Sequence, residues 1–384
     1  LIVFIIMCCS WLVLPGCSIN PVTKSKEIKL ISAEQELTLG AQNYAPMQQQ
    51  SGGVLKIDPA INRYVSDVGM RIAKVSDREL PYEFVVLNDS VPNAWALPGG
   101  KIAINRGLLV ELNSEAELAA VLGHEVVHAA ARHSAKKIEQ GMMLNIGLIT
   151  LGSMTSDKDY GKAMVAAGTV GAILLGQKYS RDAESEADRY GMEYMARAGY
   201  DPQAAVSLQQ TFVRLSQNGK PNWLDGLFAS HPPSQERVDA NRVTAQRLKR
   251  AGLTEGRDSY AKHFAYLKKI KPAYDKHDEA YKKLKDNDYR GALQLADAAL
   301  AIEPREPLFH ALKGDIYYKQ KNWQQAVPHY GAAIQRDRDY FYPYLRRGES
   351  YKALGQTDKA KADLNRSVEL LPTKNAQEAL QGLR

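Results

Sequence analysis

Five residues constrain this chain more than any others: His124-Glu125-Val126-Val127-His128. Two histidines four apart on an α-helix share a face, one turn apart. Both imidazoles can then hold one Zn²⁺, and the glutamate between them is placed to take a proton from water. The pattern means this only on a helix, and the flanks predict one. Ser114 followed by Glu117 reads as a capping box, in which hydroxyl and carboxylate satisfy free backbone donors. From Glu115 to Lys137 there is no proline, and Ala, Leu and Val dominate. Gly123, Ala129, Ala130 and Ala131 keep this helix thin and apolar, which predicts burial. Buried imidazoles need partners, and a metal ion is the natural one.

Cysteine usage limits how a metal can be held. The three cysteines are Cys8, Cys9 and Cys17, so the body of the chain has neither a disulfide framework nor thiolate ligands. Zinc must be held by histidine and carboxylate. The 384 residues are enough for two or three domains. A net charge of +7 without a basic block gives no sign of nucleic-acid binding. It fits either a solubilising surface or contact with an anionic membrane.

Residues 1–14 are almost wholly apolar and uncharged, and shorter than the ~20 residues of a spanning helix. They lead into Leu14-Pro15-Gly16-Cys17 and then a polar stretch. This resembles a secretory signal over 1–16 ending in a bacterial lipobox, with Cys17 as the lipidated residue. Pro15 and the missing basic n-region depart from that pattern. An ordinary cleaved signal or an uncleaved anchor are the alternatives. Ser18 after the cysteine resembles outer-membrane sorting.

Beyond an arm at 17–50, with a short helix around Ala33–Tyr44, Asp58-Pro59 opens a helix by cap-plus-proline logic. Strands are expected at Tyr82–Leu87, Trp95–Leu97 and Lys101–Asn105, the last two joined by the turn Pro98-Gly99-Gly100. The runs 142–151 and 161–176 are apolar and Gly/Ala-rich, either a buried helical hairpin or a membrane-touching one. Ser180 to Ala198 reads as a helix closed by Gly199, and Asp201-Pro202 opens the next.

The C-terminal third repeats. Ala292, Ala326 and Ala360 are spaced by 34, as are Gly314 and Gly348, and Tyr317 and Tyr351. That period resembles the tetratricopeptide repeat. Three helix pairs, the first degenerate at Ala280 and Lys283, would end in a cap at Asn375–Leu383. Such an array either docks a polypeptide or buttresses the fold.

A catalytic zinc wants a third protein ligand and one open position. The metzincin pattern fails, since Ala131 and Ser134 stand where its glycine and third histidine belong. His133 lies about 140° around a continuous helix from His128 and about 180° from His124, which points it to a surface or packing role. Downstream, Glu184 and Asp188 share a helix face and Glu186 points away. Glu184 could complete the metal shell, and Asp188 could accept from the free ring nitrogen of a liganding histidine. An acidic surface helix paired with Arg181 and Arg189 is the plainer alternative.

His124-Glu125-Val126-Val127-His128, then Ser180-Arg181-Asp182-Ala183-Glu184-Ser185-Glu186-Ala187-Asp188, then Ser230-His231-Pro232-Pro233 with Glu236-Arg237, resemble the CAAX prenyl protease/HtpX-like family of zinc metallopeptidases. Asn93-Ala94-Trp95-Ala96-Leu97-Pro98-Gly99-Gly100 matches a further segment of that family. The likeness covers roughly residues 30–250. With a signal and repeats, the chain looks most like the BepA-type periplasmic members. The resemblance implies a gluzincin-like site with His124, His128 and Glu184 on one zinc, Glu125 as general base and Asp188 behind the ligands. It implies an edge strand at Asn93, Ala94, Trp95 and Ala96 that takes extended substrate. It places His231 near the zinc, either stabilising the transition state or blocking the open position. Arg237 orients this segment, serves the oxyanion, or forms a plain salt bridge.

The expected fold is α+β. A mainly helical metallopeptidase domain with a small antiparallel sheet spans 51–255, and an all-α tetratricopeptide array spans 270–384. The expected function is a zinc endopeptidase of the bacterial periplasm, lipid-anchored to the outer membrane. It would act on unfolded or misassembled polypeptides, with envelope assembly proteins as possible partners of the array. A latent-site chaperone or binding module is the alternative, and a membrane-embedded protease built on 142–176 is a third.

Overall fold

The computed structural model describes residues 16–141, 178–217 and 230–383. Residues 1–15 and the apolar runs within 142–176 lie outside them. Strands β1 (Gly16–Ile19) and β2 (Lys26–Lys29) form an antiparallel hairpin ahead of helix α1 (Ala33–Gln50). Ser32 caps α1 with a full capping box, and the helix runs six residues beyond the expected Tyr44. Helix α2 (Pro59–Ala73) starts as its sequence requires, with the Asp58 side chain accepting from the Ala60 N–H.

Strands β3 (Glu83–Leu87), β4 (Ala94–Leu97) and β5 (Lys101–Asn105) form a sheet in the order β3-β5-β4. The antiparallel expectation holds for β4–β5, which the Pro98-Gly99-Gly100 turn closes. The β3–β5 pair is parallel, because the chain crosses from β3 to the far edge before returning through the centre. The sheet is therefore mixed, and β4 is an edge.

Helix α3 (Arg106–Leu109) leads to the motif helix α4 (Glu115–Ala130). Ser114 accepts from the Glu117 N–H at 3.0 Å, while the Glu117 carboxylate reaches Asn113 instead of closing the box on Ser114. Helices α5 (Arg181–Arg197), α6 (Gln203–Gln217) and α7 (Gln235–Leu248) complete the domain around one core with α2, α4 and the sheet.

Helix α8 (Arg257–Lys285) crosses out of this core without a break. Tyr260, Phe264 and Leu267 belong to the first domain's core, whereas Ala280 and Leu284 start the cluster of the array. It pairs with α9 (Tyr289–Ile302). The pairs α10 (Pro307–Lys319) with α11 (Trp323–Arg336), and α12 (Phe341–Ala353) with α13 (Thr357–Leu370), follow, and α14 (Lys374–Gln381) caps the end. Ala292, Ala326 and Ala360 are fully buried. At Gly314 a Cβ would stand 2.6 Å from the Tyr330 ring, so the repeat needs glycine there.

The array is fastened at two places. The Arg106 guanidinium lies 3.3 Å from the ring centroid of Tyr274, and Glu306 accepts from both Asn88 and Tyr274. Further along, Lys56 pairs with Asp339 and Gln49 bonds the backbone of Asp339 and Phe341.

Candidate metal centre

Helix α4 carries the histidines and α5 the carboxylates, and the two pack backbone to backbone. A Cβ on Gly191 would stand 3.0 Å from the His124 nitrogen, and one on Gly123 would stand 3.1 Å from the Gly191 oxygen. Only a glycine pair allows that approach, and it lays Glu184 and Asp188 against the motif face.

His124 Nε2 and His128 Nε2 are 3.0 Å apart. His231 Nδ1 lies 3.2 Å from His124 Nε2 and 2.9 Å from Glu184 Oε1. Glu184 Oε1 is 3.4 Å from His128 Nε2, and its Oε2 is 3.5 Å from His124 Nε2. Two donors held at ~2.0–2.1 Å by a tetrahedral zinc stand roughly 3.3 Å apart. One donor atom from each of these four residues therefore fits a single ion, and all lie within 4.8 Å of one another. Glu125 Oε2 and Glu184 Oε2 are buried without an aligned hydrogen-bond partner. Arg237 Nη1 is 2.9 Å from Glu184 Oε2, but it donates instead to the Pro232 carbonyl. Buried oxygens left in this state are what a cation would satisfy.

The electrostatics agree. Burial works against a charge on His124, but the carboxylates of Glu184 and Asp188 overcome it and push its pKa up to about 10. Burial alone would raise Glu184, yet His231 and His124 beside it hold the carboxyl well below the usual range. Burial holds His128 well below the ordinary imidazole value. The same burial raises the carboxyl of Glu125.

Behind the donors stand groups that fix their orientation. Asp188 Oδ1 is 3.0 Å from His124 Nδ1, which turns Nε2 toward the centre. Arg237 grips Asp188 through Nε at 2.7 Å and Nη2 at 2.8 Å, with Asn241 at 3.3 Å. Arg237 thus makes a forked ion pair that braces Asp188 and also holds the Pro232 carbonyl beside His231.

His133 corrects the helix-phase expectation. It is buried, with Nδ1 2.9 Å from His128 Nδ1 and Nε2 3.0 Å from Glu186 Oε2. The reason is a break in the helix. Arg132 is left-handed at φ 64°, so residues 133–141 start a new helical stretch with a new phase. The Arg132 side chain holds that conformation by reaching Glu36, Glu27 and Glu139. Glu186, expected to point away, ends the His128–His133 chain.

Tyr179 is the second residue missed. Its ring stacks on His128 at 3.9 Å, and its hydroxyl bonds Ser134. Ser134 in turn donates to the carbonyl of Ala96 on the edge strand. An aromatic residue just before the Ser180 cap was the available signal. On β4 itself, Ala94 borders the site, while the Trp95 side chain turns to the far face beside Tyr44 and Met47. Asn93 pairs by backbone with Asn105, and its side chain accepts from Ser230 at 3.5 Å. A cavity with about 590 Å³ of empty volume runs from His124 and Glu125 to Met192, Leu208 and Phe212.

The peptidase family M48 profile matches residues 59–244. The chain is 30% identical over 179 residues to metalloprotease YcaL of Escherichia coli, covering 45% of this chain and 68% of that protein. The chain belongs to peptidase family M48. Two tetratricopeptide profiles match residues 314–355 and 342–374. The mitochondrial metalloendopeptidase OMA1 of Schizosaccharomyces pombe is 31% identical over 221 residues, 57% of this chain and 63% of that protein. The beta-barrel assembly-enhancing protease of Yersinia pestis is 27% identical over 243 residues, 62% of this chain and 49% of that protein. The chain thus spans about half the length of that relative.

Proposed function

We propose that this M48 chain is a zinc-dependent endopeptidase of the bacterial cell envelope, cleaving misfolded or misassembled proteins. The observation that carries the reading is the set of four donor atoms within 4.8 Å of one another beside the unpartnered Glu125 Oε2. His124, His128 and Glu184 would hold one zinc per chain. A zinc ion held there lowers the pKa of a water and polarises a carbonyl. Glu125 takes the proton and later gives it to the leaving amine, a cycle suited to a carboxyl that burial has raised. Asp188, braced by Arg237, keeps His124 in register. An extended polypeptide along the β4 edge takes main-chain hydrogen bonds beside Ala94. At Ala96 it must displace the Ser134 hydroxyl.

One observation favours a second state of the same site. His231 Nδ1, 3.2 Å from His124 Nε2 and 2.9 Å from Glu184 Oε1, would take the fourth position that a catalytic zinc reserves for water. The closed site supports a latent form, in which the chain serves outer-membrane assembly as a chaperone or binding module until His231 withdraws. The relatives' name, the apolar residues 1–14 and Cys17 support a periplasmic protein lipid-anchored to the outer membrane. The array would dock substrate or an assembly partner.

The test is zinc content and casein cleavage for the full chain, Glu125→Gln and His231→Ala. We expect zinc in all three, cleavage lost in Glu125→Gln and raised in His231→Ala. A zinc-loaded parent that cleaves nothing, with a His231→Ala variant equally silent, sinks the endopeptidase reading.

A further inference from the structure

Exposed large apolar side chains are sparse among the described residues, and three of the seven sit on one small element. Ile19 is 67% exposed, Ile28 53% and Leu30 40%, all on or beside the β1–β2 hairpin. Leu37, Met70, Val243 and Ile302 lie on four separate helices, and scattered singles need no explanation. The hairpin is different because its two faces are sorted. Along β2 exposure alternates, with Lys26 and Ile28 out and Glu27 and Lys29 in. The inner face is locked: Glu27 meets Arg132 at 2.8 Å, and Asn20 donates to the Ala131 carbonyl at 2.9 Å. The outer face therefore cannot fold away its isoleucines by rotation, and the described residues leave them uncovered.

We propose that this outer face, Ile19, Ile28 and Leu30 with Lys24 and Lys26, seats on the surface of a bilayer containing anionic lipid. Three observations select that occupant. The apolar, uncharged residues 1–14 lead straight into β1, and Cys17, the residue proposed to carry the lipid, pairs with Ile28. With the signal retained or removed, a membrane-partitioning group therefore adjoins the face. Lys24 and Lys26 are exposed and have no carboxylate partner among the described residues, which suits anionic headgroups. Apolar side chains interspersed with lysine on a rigid face are the composition of an interfacial element. The consequence is orientation. Asn20 and Glu27 grip Ala131 and Arg132, so a bilayer against the hairpin lies toward the C-terminal end of the helix that carries His124 and His128.

The experiment places a photoreactive benzophenone side chain at Ile19, at Ile28 or, as control, at Val243 in the full chain. Each is reconstituted with phosphatidylethanolamine vesicles, with and without phosphatidylglycerol. We expect lipid adducts at 19 and 28 above the Val243 control, increased by phosphatidylglycerol. Lys24→Glu with Lys26→Glu should remove that increase. Adducts no greater than at Val243 overturn the proposal. So do adducts to a second copy, to another protein or to residues 1–15. Equal labelling on both lipid mixtures overturns the anionic-surface assignment.

Discussion

The metal centre and the repeat array both bury charge, but they treat it in opposite ways. In the array, Asp315 is surrounded by three hydroxyl donors, Tyr281 and Tyr330 at 2.7 Å and Tyr342 at 2.9 Å. The carboxylate is satisfied by side chains of the array itself. In the metal centre, Glu125 Oε2 and Glu184 Oε2 lack an aligned hydrogen-bond donor, although Arg237 lies 2.9 Å from the latter, while three imidazole nitrogens crowd within hydrogen-bond distance. The Asp315 site is complete as a polypeptide, whereas the buried oxygens of the centre are ones a cation would satisfy. The lesson is that perturbed charge marks function only where partners are missing.

The largest effect expected from this contrast is on chemistry. Glu125→Gln should lower peptide hydrolysis by about 10²–10⁴-fold, the usual contribution of a general base. Zinc content and the helicity of the array should not change. A variant that keeps parental cleavage removes Glu125 from the reaction.

Next comes metal removal. A chelator, or Glu184→Ala, should destabilise the peptidase domain by up to about 4 kcal/mol, the binding contribution at a thousandfold excess over Kd. Hydrogen exchange followed by mass spectrometry separates the two regions. Faster exchange is expected in α4 and α5, with α10 to α13 unchanged. Uniform acceleration would mean that the array also depends on the metal.

These two regions also differ in how far their sequence discloses them. The array shows itself through local signals: alanines every 34 residues and a glycine opposite each large neighbour. The centre is assembled from segments far apart; helical spacing pairs His124 with His128 and Glu184 with Asp188, while His231 came only through the family resemblance. What was hidden depended on non-local contacts. Arg132 ends α4 with neither glycine nor proline to signal it, because Glu36, Glu27 and Glu139 stabilise its left-handed backbone from elsewhere. His133 was misplaced for that reason alone. The parallel β3–β5 pairing was hidden similarly, since hairpin logic reports only the β4–β5 turn.

Glycine substitutions sharpen the comparison. Gly191→Ala puts a Cβ 3.0 Å from the His124 backbone, and Gly314→Ala puts one 2.6 Å from the Tyr330 ring. Both should cost about 1–3 kcal/mol through overpacking. Only Gly191→Ala should also weaken zinc binding, because it pries α5 and Glu184 away from α4. Equal zinc affinity in both variants would remove the backbone approach from the architecture of the centre.

The smallest effect is a difference of sign with pH. Burial raises the carboxyl of Asp315 above its ordinary 3.8, and the tyrosine hydroxyls only partly oppose this. The folded array then binds that proton more readily than the unfolded chain does. Its stability should rise as pH falls from neutral through the folded value, and level off near the unfolded one. Glu115, at the start of α4, behaves oppositely. Burial would raise it, but hydrogen bonds from Tyr64, Tyr200 and Ser259 and the charge of Arg71 hold it below 4.5. Its contribution is complete above the unfolded value and is lost as pH falls through the folded one. Each pH unit between folded and unfolded values is worth at most about 1.4 kcal/mol per group. Exchange rates of α10 and of the first turns of α4, measured from neutral to acid pH, should therefore diverge. Asp315→Asn should flatten the first trend and Glu115→Gln the second. Parallel trends in the two regions would show that Asp315 is as well stabilised in its charged form as Glu115.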